Sequence, residues 1–151
     1  METEKGKFNI TETIRSIKKA REELRRVVAH EADVCAPLLT DYTLLPGLWR
    51  HFCELLGRDG SIKADDRKMF IFIVQYLYAP RNLFGVKMPK SLRRELVRAM
   101  GVNAVSVVSN DGRSTLFTYQ VYTGFRSEVN RIFEGMMEKL RTSGHIKADT
   151  G

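Results

Sequence analysis

Seven apolar residues near the end of the chain, Phe125, Val129, Ile132, Phe133, Met136, Met137 and Leu140, recur at steps of one, three and four. Only an α-helix gathers positions so spaced onto one face. A stripe of that width has to be covered, so the rest of the chain must supply partner elements. The methionines in the stripe are flexible gap-fillers, which favours a core over a ligand-binding surface.

The partners are legible upstream. Asn9 followed by Glu12 reads as a capping box, and Ile10, Ile14, Ile17, Leu24 and Val28 then follow at three- and four-residue steps, with Arg21 in an otherwise apolar slot. Such a seam either packs on its own domain or pairs with another copy of the chain. In LWRHFCELLG, Leu48, Phe52, Leu55 and Leu56 share a helical face that stops at Gly57. Asp65 and Asp66 suit the first turn of a following helix, Met69 to Tyr78 continue it as a buried stretch, and Pro80 ends it. Pro89 then opens a helix that runs through Met100. The pattern predicts a mainly α, compact helical fold. We expect a single domain over residues 1–141, made of an amphipathic helix at 9–35 and a helical core at 48–141, with a flexible tail at 142–151.

Size and composition narrow the possibilities. A chain of 151 residues, 43% of them hydrophobic, suffices for one core. The longest apolar run, Met69 to Leu77, is interrupted by Gln75 and is too short to span a bilayer. The first residues lack the apolar stretch of a secretory signal, so a cytoplasmic location is expected. His30, Cys35, His51 and Cys53 include the residue types of a zinc site, but on a helix His51 and Cys53 point about 200° apart. They are read as buried thiols and ordinary core or surface histidines, and no metal or cofactor is expected. No GxSxG, Walker A, HExxH or dinucleotide fingerprint is present, which argues against an enzyme and indicates no small-molecule substrate.

The formal charge of +7 points to a polyanionic partner, and its position is more informative than its size. Between Arg81 and Gly101 six basic residues, Arg81, Lys87, Lys90, Arg93, Arg94 and Arg98, face one acid, Glu95. That basic stretch leads directly into RRELVRAMGVNAVSVVSND at 93–111. Leu92, Leu96 and Met100 can form the inner face of a first helix, Gly101 the turn, and Val102 a plug into the core. Asn103 can cap a second helix in which Ala104, Val105, Val107 and Val108 turn inward. Ser106, Ser109, Asn110 and Arg113 then fall at i, i+3, i+4 and i+7, on one polar face. A β-hairpin at 104–122 is the alternative, because AVSVVS is β-branched, NDG is a turn signal and Thr115, Phe117, Tyr119 and Val121 alternate. Against it, Val107 and Val108 are adjacent, and Phe117 and Val121 also extend the C-terminal seam in steps of four.

The segment LRRELVRAMGVNAVSVVSN resembles the helix-turn-helix of bacterial and phage DNA-binding proteins over about 20 residues, which places a helix-turn-helix near residues 90–113. It departs from that pattern at Val97, where a small Ala is usual, and at Val108-Ser109, one residue later than usual after the Gly. The plan of a small basic helical protein is also similar to phage packaging subunits and mobile-element regulators. The resemblance implies double-stranded DNA as partner. Asn103, Ser106, Ser109, Asn110 and Arg113 would then face the bases, while Lys87, Lys90, Arg93, Arg94 and Arg98 hold phosphates. The bland reading of each cation is a solvated helix face. The competing function is a helical scaffold or adaptor that binds protein subunits, or further copies of itself, through its amphipathic helices.

Overall fold

The computed structural model describes residues 9–57, 61–103 and 105–146. Contacts divide the chain into two units, Met1–Ala36 and Pro37–Gly151. Helix α1 (Ile10–Val34) makes up the described part of the first. Its start follows from Asn9, whose side-chain oxygen accepts the Glu12 N–H at 3.1 Å and satisfies one of the donors a helix end leaves open. Arg15–Glu12 and Arg26–Glu22 ion pairs decorate its surface. None of its 25 residues is buried, and Ile10, Ile14, Ile17, Leu24 and Val28 all stand exposed.

The second unit holds α2 (Leu45–Leu56), α3 (Ala64–Tyr78), α4 (Lys90–Met100), α5 (Val105–Gly112), α6 (Thr115–Val121) and α7 (Thr123–Thr142). The protein is mainly α, and no strand occurs among the described residues. Short 3₁₀ turns at Tyr42–Leu44 and Pro80–Phe84 link α1 to α2 and α3 to α4. Because α3 is apolar nearly all round, it can only be a central element. Phe70, Ile71, Val74 and Leu77 are fully enclosed, and α5, α6 and α7 all pack on it. Helix α2 lies against α4 and α7. Its Trp49 and Phe52 meet Phe70 of α3 with ring centroids 4.9 and 5.3 Å apart, a tilted aromatic cluster that fixes this side of the core. At the α2–α7 crossing, Gly135 lets the helices approach so closely that a Cβ there would meet both methyls of Leu55 at 2.9 Å.

Helix α7 carries the expected stripe: Val129, Ile132, Met136, Met137 and Leu140 are buried, while Phe125 and Phe133 are half-buried against the core. Residues 143–146 turn back after it, with the His145 and Ile146 amides donating to the Leu140 carbonyl, and Ile146 rests on the core. Residues 147–151 of the expected tail lie outside the described residues.

The hairpin alternative at 104–122 is overturned, since residues 105–112 and 115–121 form α5 and α6. Asn110-Asp111-Gly112, expected as its turn, is the last turn of α5. Gly112 answers a packing need: a Cβ there would stand 3.3 Å from Nε2 of Gln75. The expected seam from Phe117 through Val121 into α7 is also corrected. Both residues are exposed, and α6 instead turns in Thr115 and stacks Tyr119 on Phe72 with centroids 4.6 Å apart. Tyr122, in extended backbone, separates α6 from α7, so the seam cannot run through.

Candidate nucleic-acid interface

The pair α4 and α5 is built by the sequence around Gly101. Leu92, Leu96 and Met100 bury the inner face of α4, as their spacing requires. The helix then stops because Gly101 adopts φ +69°, a left-handed conformation that glycine enters without a Cβ penalty. The Gly101 amide donates to the Arg98 carbonyl and the Val102 amide to the Val97 carbonyl, both at 3.3 Å, which is a Schellman closure. Val97 and Val102 both pack partly on the core beside it. Ala104, expected to turn inward, lies outside the described residues. Asn103 is exposed two residues before the helix begins.

Helix α5 packs on both α3 and α4, and its inward valine is Val108, 1% exposed. Val107 is half-buried, and Val105, expected inside, is 41% exposed. Val105 shares the face of Val108 one turn earlier, but it is the first of only eight residues and stands at the open end of the helix. The polar positions divide accordingly. Ser106 and Asn110 are exposed, Ser109 is half-buried, and Arg113 is exposed just past the last helical residue.

The basic residues fall into two groups. Lys90, Arg94 and Arg98 stand on successive turns of α4, all exposed. Arg98 is paired within the helix, its guanidinium 2.9 Å from Glu95, although 69% of its side chain remains exposed. Arg93 is half-buried and lies with Lys87, Ser109 and Arg113 along one cleft of about 420 Å³ between the 82–88 segment and the end of α5. The fold thus joins two of the residues expected to hold phosphates with two expected to face bases. Among the described residues no carboxylate pairs with Lys87, Lys90, Arg93, Arg94 or Arg113.

Sequence reasoning missed the polar group beneath this cleft. Gln75 is completely buried in α3, and its Nε2 donates to Oδ1 of Asn82 at 2.6 Å and to the Gly112 carbonyl at 3.0 Å. Its Oε1 accepts from the Thr115 hydroxyl at 2.5 Å. Asn82 in turn donates to the Val86 carbonyl at 2.8 Å. One side chain therefore ties α3 to the end of α5, the start of α6 and the cleft loop. The signal was present, since Gln75 is the single polar interruption of an apolar run, but its partners are 7, 37 and 40 residues away.

The residues considered for zinc sit otherwise. His51 approaches Glu54 through Nδ1 at 3.3 Å and the Gly135 carbonyl through Nε2 at 3.4 Å. Burial, aided by the charge of Asp66, raises the Cys53 thiol above its usual value and disfavours the thiolate a metal needs. Among the described residues no group of three or more His, Cys, Asp and Glu is placed to hold a metal ion, and no helix is long and apolar enough to cross a membrane. No family model, curated protein or solved structure matches this chain.

Proposed function

We propose that α4, the Gly101 turn and α5 act as a helix-turn-helix on double-stranded DNA, and that the protein binds without breaking covalent bonds, as a regulator or packaging subunit of phage or mobile-element type. The observation that carries this reading is the adjacency of the polar α5 positions, Ser106 and Asn110 exposed among them, to Lys87, Lys90, Arg93 and Arg94, which no carboxylate neutralises among the described residues. Unpaired cations on one surface lose little by meeting phosphate and gain from counterion release. Lys87, Lys90, Arg93 and Arg94 hold the backbone. Arg98 joins them by exchanging Glu95 for phosphate, at small cost because an exposed intrahelical pair contributes well under about 1 kcal/mol. Asn103, Ser106, Ser109, Asn110 and Arg113 meet base edges, where Asn suits adenine and Arg suits guanine.

Electrophoretic shift of mixed duplex DNA tests the reading. Changing Arg93, Arg94 and Arg98 together to Glu is expected to abolish the shift, and an unchanged shift would remove this surface from the mechanism. A second reading, a scaffold or adaptor that assembles through α1, is favoured by one observation: a 25-residue helix with a regular apolar seam buries none of it. The two are compatible, since a second copy pairing along that seam would give a dimeric DNA binder.

A further inference from the structure

The cleft beneath α5 has features that duplex binding alone does not require. It is concave, and its volume of about 420 Å³ lies within the range of small-ligand pockets, roughly 300 to 1,000 Å³. Lys87, Arg93 and Arg113 line it with no carboxylate among the lining residues, while Leu83, Met88 and Val108 supply apolar wall. Cations held on a concave, partly apolar surface without counter-charge favour an anion more strongly than the same charges on a flat face. Two arginines suit the planar, bidentate recognition of phosphate oxygens. The walls are also set in advance: both ends of the Asn82 amide are engaged, to Gln75 and to Val86, and Gly112 is fixed by Gln75. The loop and the end of α5 that form the walls therefore have little ordering left to lose on binding.

We propose that this cleft binds a small organic phosphate of nucleotide size, its phosphate held by Lys87, Arg93 and Arg113 and its organic part lying on Leu83, Met88 and Val108. Bare phosphate leaves most of the volume and the apolar wall unused. Because Arg93 and Arg113 also belong to the surface assigned to duplex DNA, a bound ligand competes with DNA; that competition rests on the DNA-binding reading, whereas the ligand site does not.

The probes are adenosine 5′-monophosphate and adenosine, titrated calorimetrically into the full chain at fixed ionic strength. The monophosphate is expected to bind at least tenfold tighter than adenosine. Arg113→Ala and Lys87→Ala, both at exposed positions, should each weaken it several-fold, and Arg93→Ala more, with far-UV circular dichroism checking that the half-buried position tolerates the change. Lys18→Ala with Lys19→Ala on α1 should leave binding unchanged. Equal affinity for the two probes, or an equal loss in the α1 variant, overturns the site. A labelled duplex separates the claims. Duplex binding without monophosphate binding overturns the cleft alone, monophosphate binding without duplex binding overturns the DNA reading alone, and binding of both without displacement overturns the competition.

Discussion

Replacing Gln75 by Leu tests whether one buried amide holds the cleft and the α5–α6 junction in place. The wild-type side chain makes three hydrogen bonds, to Asn82, Gly112 and Thr115, at 2.6, 3.0 and 2.5 Å. Each contributes about 1 kcal/mol net, and a buried partner left unpaired costs about 1 to 3 kcal/mol. Relaxation recovers part of this, because the Thr115 hydroxyl already lies 3.2 Å from the Gly112 carbonyl and half-buried Asn82 can reach water. The apolar transfer of leucine into a site with no exposure returns a further part. The expected net loss is about 2 kcal/mol, which in urea unfolding lowers the midpoint by about 1 to 2 M for a slope of 1 to 2 kcal/mol/M. Both duplex and monophosphate binding should weaken with it, since the end of α5 loses its anchor. A midpoint shift below about 0.3 M would refute the reasoning.

Other perturbations check separate links. Gly101→Ala places a Cβ at φ +69° with no atom within 4 Å, so the cost is conformational alone, about 1 kcal/mol by thermal unfolding, and Gly101→Asn should cost less. Gly135→Leu forces a side chain into the α2–α7 crossing, where even a Cβ would meet Leu55 at 2.9 Å, and should destabilise by about 1 to 3 kcal/mol in the same assay. Tyr78 and Cys53 both have folded pKa values raised, chiefly by burial, above ordinary values of 10.0 and 9.0. Their stabilising contribution is complete below those ordinary values and is lost as pH climbs from them toward the folded ones, so stability should fall above about pH 9 and Tyr78→Phe should flatten that decline. If α1 pairs with a second copy, Ile17→Asp with Leu24→Asp should convert a sedimenting dimer to monomer, and a wild-type monomer would end that proposal.

The elements that the sequence made legible were those whose signals are local. The α7 stripe, the inner face of α4 and the stop at Gly101 each depend on residues within a few turns of one another, and each stands as read. What stayed hidden depends on distant partners. Asn110-Asp111-Gly112 carries the composition of a hairpin turn, yet the glycine is required by Gln75, 37 residues earlier. Phe117 and Val121 continue a periodic pattern on paper but face solvent, because α3 meets α6 through Phe72 and Tyr119. The candidate surface was half legible. Its basic residues announced themselves by local excess, whereas the cleft exists only because the 82–88 segment folds back against the end of α5.

The central claim is that the basic face of α4 and its approach meet DNA phosphates, and salt dependence measures it most directly. Five phosphate contacts, by Lys87, Lys90, Arg93, Arg94 and Arg98, give a slope of log affinity on log salt of about −4.5, a loss of roughly 500-fold between 50 and 200 mM. Arg93→Ala with Arg94→Ala should flatten the slope by about 1.8. A wild-type slope shallower than about −1, or one that the double substitution leaves unchanged, would contradict the account.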